Sequence, residues 1–203
     1  MKCCDNEWEK ILWQKKELVL GIDEAGRGPL AGPLYVAGVI FPIGYENNEI
    51  YDSKALSEKK REKLFLEIKD KALWYKILEI SVEVIDQKNI YQATKDAMLE
   101  IAESAPCQYV LTDAMPLTST KSVEAIIKGD QKSFSIAAAS ILAKVTRDHK
   151  MIAIDKLYPG YGLAKNKGYP TKEHRLALAK LGITPYHRKS YAPVKQIIQK
   201  GIN

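Results

Sequence analysis

An apolar run, Leu18-Val19-Leu20-Gly21-Ile22, drives straight into two adjacent acids, Asp23-Glu24, and then into Ala25-Gly26-Arg27-Gly28-Pro29. Apolar runs bounded by Gly and Pro read as buried strands. A strand that ends in acids carries charge to the rim of a core, where charge is costly unless a cation compensates it. The same stretch also fits a strand-to-turn junction whose acids face water. The rest of the chain has to decide between the two.

The pattern continues as alternating strands and helices. Leu34 to Phe41 reads as a second strand after the Gly/Pro turn. Asp52-Ser53-Lys54 opens a helical region in which Ser57 caps a charged run, Glu58 to Asp70. Leu73 to Val84 alternates as a third strand, and a helix from about Asp86 to Ser104 follows, stopped by Pro106. Gln108 to Asp113 is a fourth strand, again ending on an acid, and Glu124 to Lys128 a short fifth before Gly129-Asp130. Ser135 to Leu157 is the strongest helical periodicity in the chain; Pro159-Gly160 ends it, and a short helix follows Pro170-Thr171.

This order predicts an α/β fold, a mixed sheet of about five strands flanked by helices. A crossover helix before strand four lets that strand lie parallel to strand one. Asp23 and Asp113 then reach the same sheet edge, where open α/β sheets place their sites. In the long helix, Ile141, Val145, Asp148 and Ile152 share one apolar stripe, and a carboxylate there calls for a partner. Arg147 and His149 rotate off that stripe and are expected at the surface.

Composition bounds the partners. The 203 residues, 46% hydrophobic and 28% charged, suit one large domain or one with a small appendage. No apolar run reaches the ~20 residues of a membrane span, and Met1 to Asp5 lacks a secretory core, so a cytoplasmic location is expected. Three cysteines without ligand spacing support neither zinc nor a disulfide framework. Residues 161–203 hold nine basic residues against Glu173 alone, a charge of +8 in a chain of net +6, so residues 1–160 carry −2. The division expected is a core that carries the acids, 1–160, and a basic C-terminal region able to bind a polyanionic substrate, 161–203. Such a basic stretch suits a polyanion held against an acidic metal site, or a solvated tail.

Four converging acids, Asp23, Glu24, Asp113 and Asp148, would repel one another unless divalent ions relieved the charge. An all-carboxylate site suits Mg²⁺ or Mn²⁺, two ions per site in nucleases and polymerases.

These residues carry a resemblance. Asp23-Glu24-Ala25-Gly26-Arg27-Gly28-Pro29-Leu30-Ala31-Gly32-Pro33 resembles the opening signature of the bacterial type 2 ribonucleases H, the ribonuclease HII family. Asp52-Ser53-Lys54 with Leu56 and Ser57, Leu111 to Met115, and Ile136 to Asp148 resemble its middle motifs and long helix. Gly168-Tyr169-Pro170-Thr171 with His174, and His187 to Tyr191, complete the series in order.

The resemblance implies a ribonuclease H-like fold and a metal-dependent endonuclease. Its substrates would be RNA/DNA hybrids and single ribonucleotides embedded in duplex DNA, cut on the 5′ side to leave 3′-hydroxyl and 5′-phosphate ends. It implies Asp23, Glu24, Asp113 and Asp148 as catalytic metal ligands. Gly26-Arg27-Gly28 would contact the 2′-hydroxyl and flanking phosphates, and Tyr169 the junction with the following deoxynucleotide. Lys54 and Lys144 would lie near phosphates and Ser140 beside the site. Met1 to Lys16 carries no assignable feature. The tail from Gln196 lacks the paired aromatics of sliding-clamp peptides, so no clamp partner is expected; a monomer is the default. No additional substrate-binding domain is expected ahead of the core, and with the Gly-Arg-Gly loop and Tyr169 this points away from the longer type 3 enzymes. Two other readings stay open: another nuclease or strand-transfer enzyme of the same fold, and a non-catalytic nucleic-acid-binding module.

Overall fold

The structure, a computed structural model, describes residue 4 and residues 6–201; Cys3, Asp5 and Ile202 lie outside the described residues. In chain order the elements are α1 (Glu7–Gln14), β1 (Val19–Ala25), β2 (Leu34–Ile40), α2 (Glu58–Lys71), β3 (Trp74–Ile80), α3 (Val82–Lys88), α4 (Ile90–Ser104), β4 (Tyr109–Asp113) and β5 (Ser122–Ile126). Four-residue α5 (Gly129–Lys132) precedes the long α6 (Phe134–Leu157), and α7 (Leu163–Asn166), α8 (Lys172–Leu181) and α9 (Ala192–Gln199) close the chain. A short 3₁₀ turn, Ser53–Ala55, stands between β2 and α2 with Asp52 as its cap.

The five strands form one sheet in the order β3-β2-β1-β4-β5. β1 and β4 are parallel, paired from Val19↔Tyr109 to Ile22↔Thr112, and β4 and β5 are parallel up to Asp113↔Ile126. This is the five-stranded sheet expected, with strands one and four parallel as their crossover allows.

Several boundaries differ from expectation. The third strand ends at Ile80 rather than Val84, because Ser81 Oγ accepts a hydrogen bond from the Val84 amide and caps α3. One helix expected over 86–104 is two, broken at Asn89, whose φ of 65° lies outside helix space. β5 lies two residues earlier than its apolar pattern suggested. The amphipathic helices α1 and α9, eight residues each, were not anticipated.

The chain divides into two compact units. One holds the residues up to Ala25 with Val36–Leu78 and Thr94–Val145; the other holds Gly26–Tyr35, Glu79–Ala93 and Thr146–Asn203. In the first, α1 packs Leu12 and Trp13 against Val19, Leu111, Ile126 and Ile136. In the second, Leu30, Met151, Ile154, Leu163, Leu178 and Val194 form a core, with Ile197 and Ile198 of α9 packed on it.

Candidate active site

The acids of the first unit meet because of strand register. One residue past the last paired positions of β1 and β4, Ile22↔Thr112, each strand delivers its acid, Asp23 and Asp113. Asp113 Oδ1 accepts a hydrogen bond from the Gly129 amide at 2.8 Å, which draws in the turn that carries Asp130. Among the described residues, Asp23, Asp113 and Asp130 form one group whose ligand oxygens all lie within 4.8 Å of one another. The donors are carboxylate oxygens only, and three of them at this spacing fit a hard divalent cation.

The electrostatics favour the same occupant. Burial, then the charges of Glu24 and Asp113, pushes the Asp23 carboxyl well above the usual carboxylate range, although the Glu24 amide donates to Asp23 Oδ1 at 2.7 Å. Burial and then Asp113 and Asp52 also raise Asp130. Lys54 offsets part of this charge, with its Nζ 3.6 Å from Asp130 Oδ2. Burial alone would lower the Lys54 ammonium, but Asp130, Asp23, Asp52 and Asp113 outweigh it and hold it above its ordinary value. One ammonium against this many carboxylates leaves negative charge for a metal.

Gly21 explains how the long helix is set against β1. A Cβ there would lie 2.1 Å from the Ser135 carbonyl carbon and 2.3 Å from the Ile136 nitrogen, so only glycine admits α6 this close. Ser140, further along the same helix, is buried, and its Oγ has no hydrogen-bond partner among the described residues. Lys144 is half-buried one turn on.

In the second unit, the loop 26–33 is held by two buried arginines. Gly26 has φ +106°, and a Cβ on it would lie 2.2 Å from Arg147 Nε. Arg147 donates from Nε to Pro33 O at 3.1 Å and from Nη2 to Ala31 O at 3.2 Å. Arg188 reaches the carbonyls of Gly26, Arg27 and Gly32. Burial, then the Arg188 charge, lowers the Arg147 guanidinium to about 10. Arg27 and Gly28 are exposed, and a Cβ on Gly28 would sit 3.5 Å from Tyr169 Cε1. Tyr169 itself is 45% exposed.

The placement of the expected residues is therefore uneven. Asp23 and Asp113 converge, Glu24 follows Asp23 on β1, and Lys54 stands beside the group. Asp148 is buried on α6, as its apolar stripe required, but it falls in the second unit and outside the convergent three. Arg147, expected at the surface, is 1% exposed, because its guanidinium finds backbone carbonyls to satisfy it. Asp130 was missed as a site residue: unlike Asp23 and Asp113 it lies on no strand, and its one signal was its place in the short α5, four residues past the end of β5.

Comparison with known proteins gives one answer. The sequence model of the family described as ribonuclease HII matches residues 20–194. A ribonuclease HII of Desulfitobacterium hafniense is 52% identical over 192 residues, 93% of this chain and 74% of that protein. The crystal structure of ribonuclease H2 from Pyrococcus horikoshii superposes with a TM-score of 0.80 at 26% identity, covering 90% of this chain and 98% of that one. Ribonuclease HII of Archaeoglobus fulgidus, solved in complex with PCNA, gives a TM-score of 0.75 at 28% identity, covering 86% and 95%. With acids at the sheet edge that parallel strands make, and with half of its residues shared with such a relative over nearly its whole length, the chain belongs to the ribonuclease HII family and is an endoribonuclease of the ribonuclease H type.

Proposed function

We propose that this enzyme cuts RNA in RNA/DNA hybrids and also nicks duplex DNA on the 5′ side of a single embedded ribonucleotide, leaving 3′-hydroxyl and 5′-phosphate ends. The observation that carries the metal-dependent part is the convergence of Asp23, Asp113 and Asp130. We assign metal holding to these three with Glu24 beside them, and place Asp148 outside the metal set. A bound pair of Mg²⁺ or Mn²⁺ ions would supply an activated water and stabilise the leaving 3′-oxygen. The chain's own residues bind and orient. Lys54 sits where a phosphate beside the acids needs a counter-charge. Lys144 and Ser140, on α6, are assigned to the substrate side of the site.

Ribonucleotide recognition is assigned to Gly26-Arg27-Gly28 and Tyr169. The 2′-hydroxyl is the one group that marks a ribonucleotide inside DNA, so a discriminating enzyme has to touch it. Glycine at positions 26 and 28 lets the backbone approach a sugar edge without a Cβ in the way. Tyr169 projects beside Gly28 with enough exposure to meet a sugar. The two buried guanidiniums beneath this loop hold positive charge there, which favours a phosphate above it.

The test is a DNA duplex with one internal ribonucleotide, incubated with Mg²⁺ or Mn²⁺ beside an all-DNA control. A single nick 5′ of the ribonucleotide with the control intact supports the reading. Cleavage of hybrid but not of this duplex removes the single-ribonucleotide activity, and cleavage of both duplexes removes the 2′-hydroxyl readout.

A further inference from the structure

Two adjacent residues, His187 and Arg188, hold the two sides of the proposed ribonucleotide reader, each through a separate hydrogen-bond system.

Arg188 is fully buried, yet its fork is directed at neutral backbone rather than at an acid. Nη2 donates to Gly26 O at 2.6 Å and to Gly32 O at 2.8 Å, Nε to Gly32 O at 3.0 Å, and Nη1 to Arg27 O at 3.0 Å. Nη1 also donates to Tyr191 Oη at 3.0 Å, and the Tyr191 hydroxyl in turn donates to Arg27 O at 2.6 Å. A planar guanidinium satisfying three carbonyls at once fixes their relative positions, which a lysine ammonium on a flexible stem does not. Burying a charge for neutral acceptors is costly, so the shape of the 26–32 loop is what the arrangement secures.

His187 works in the other direction. The Thr184 amide donates to His187 Nδ1 at 2.9 Å, so this nitrogen is the acceptor and Nε2 carries the proton. His187 Nε2 lies 3.2 Å from His174 Nε2. His174 Nδ1 lies 2.9 Å from the Tyr169 carbonyl, which only accepts, so the proton of His174 is on Nδ1. One consistent chain results: Thr184 N–H to His187, His187 to His174, His174 to Tyr169 O. It needs both rings neutral, since a second proton on either ring sets two donors against each other. Backbone bonds complete the frame, from Arg188 N to Leu30 O and from Leu30 N to Gly168 O, each 2.8 Å.

We infer that His187 and Arg188 are positioning residues that together set the spacing between the Gly26–Gly28 loop and Tyr169, and so the enzyme's preference for an isolated ribonucleotide. The inference rests on the reading that this loop and Tyr169 recognise that ribonucleotide. Neither side chain is assigned a contact with substrate.

The experiment compares kcat/KM on a single-ribonucleotide duplex with kcat/KM on a long RNA/DNA hybrid, for the intact chain and for Arg188→Lys, His187→Ala and Tyr191→Phe, each with its melting temperature. The expected result is a ratio lowered by about tenfold or more in the first two and several-fold in Tyr191→Phe, because small misplacements of a recognising group cost rate steeply. Hybrid cleavage acts as the internal measure of an intact metal site. Equal losses on both substrates, or an unchanged ratio, overturn the inference. If Arg188→Lys or His187→Ala shows no cooperative melting, Tyr191→Phe decides alone. Tyr169→Ala separates the two levels. A ratio moved by Tyr169→Ala but not by the other variants sinks the positioning role only; a ratio Tyr169→Ala leaves unmoved sinks the recognition reading and this inference with it.

Discussion

The Asp113 carboxylate accepts a hydrogen bond from the Gly129 amide at 2.8 Å, and through that bond a strand-end acid recruits a second acid, Asp130, from the short α5 after the next strand. Asp130 thereby joins a group that local sequence pattern does not reveal. Asp130→Asn should lower hybrid cleavage by about 100-fold or more and weaken Mn²⁺ binding, since removing one charge-stabilising group at a reacting centre has costs of that order. Asp148→Asn should leave Mn²⁺ binding within a few-fold. A calorimetric Mn²⁺ titration of both variants checks this, and the opposite order would restore Asp148 to the metal set.

Gly21→Ala should destabilise the fold. Its Cβ would lie 2.1 Å from the main chain of Ser135, and backbone moves less readily than a side chain. Overpacking of this kind costs about 1–3 kcal/mol or more. The expected reading is a melting temperature lower by roughly 3–10 °C for a chain of this size. An unchanged melting temperature would mean that the start of α6 gives way freely.

Glu9 is the unexpected contribution of α1. Its buried carboxylate accepts from Ser133 Oγ at 2.6 Å and from the Ser135 amide at 2.9 Å, while Ser133 Oγ accepts from the Ile136 amide at 3.2 Å. A distant helix thus supplies the acidic half of a cap for α6, where the helix dipole also favours negative charge. Glu9→Ala should cost about 3 kcal/mol, the scale of charge-assisted bonds lost from a buried site. Urea denaturation measures it; a change under about 0.5 kcal/mol would reduce Glu9 to a packing residue.

Acid should loosen the second unit. Burial lowers His174, and burial with the neighbouring His174 lowers His187 from 6.5 to about 4. Above pH 6.5 both states of the chain keep these rings neutral, so they contribute no pH dependence there. Between 6.5 and about 4 the unfolded chain takes up protons that the folded chain refuses, so stability falls as pH falls through this window. For His187 the full loss is roughly 3 kcal/mol. Denaturation midpoints at pH 7.5, 6 and 5 should decline in step, and His187→Asn should flatten the decline. A wild-type midpoint constant from pH 7.5 to 5 contradicts the assignment.

Substrate binding without metal should be strongly salt-dependent if the basic residues of 161–203 track phosphates. Neutralising about six phosphates implies a loss of about 10³ in affinity between 50 and 200 mM salt. Fluorescence anisotropy on a labelled hybrid measures the slope. A flat profile would leave that charge to solubility.

Much of this was legible in the sequence. Buried strands declare themselves by apolar runs, and a strand that stops on an acid declares where the charge goes; Asp23 and Asp113 were both readable on those terms. Ser57 and Thr171 announce their helices through the amides of Lys60 and His174, three residues on. The boundary at Ile80 was not readable, because the β-branched residues of Ile80-Ser81-Val82-Glu83-Val84 suit either a strand or a capped helix.

The sequence by itself determined the order of the five strands and the long helix, and the parallel strands that share an edge. Only the tertiary structure decided the roles of Asp130, Glu9, Arg147 and Arg188. The local information in a chain is periodicity over one or two turns, and it records which face of an element is apolar. A buried charge is satisfied by groups elsewhere, Arg188 by Gly26 O across 162 positions and Glu9 by the Ser135 amide across 126. Those partners are joined by register and packing, so their chemistry exists only once the chain has folded.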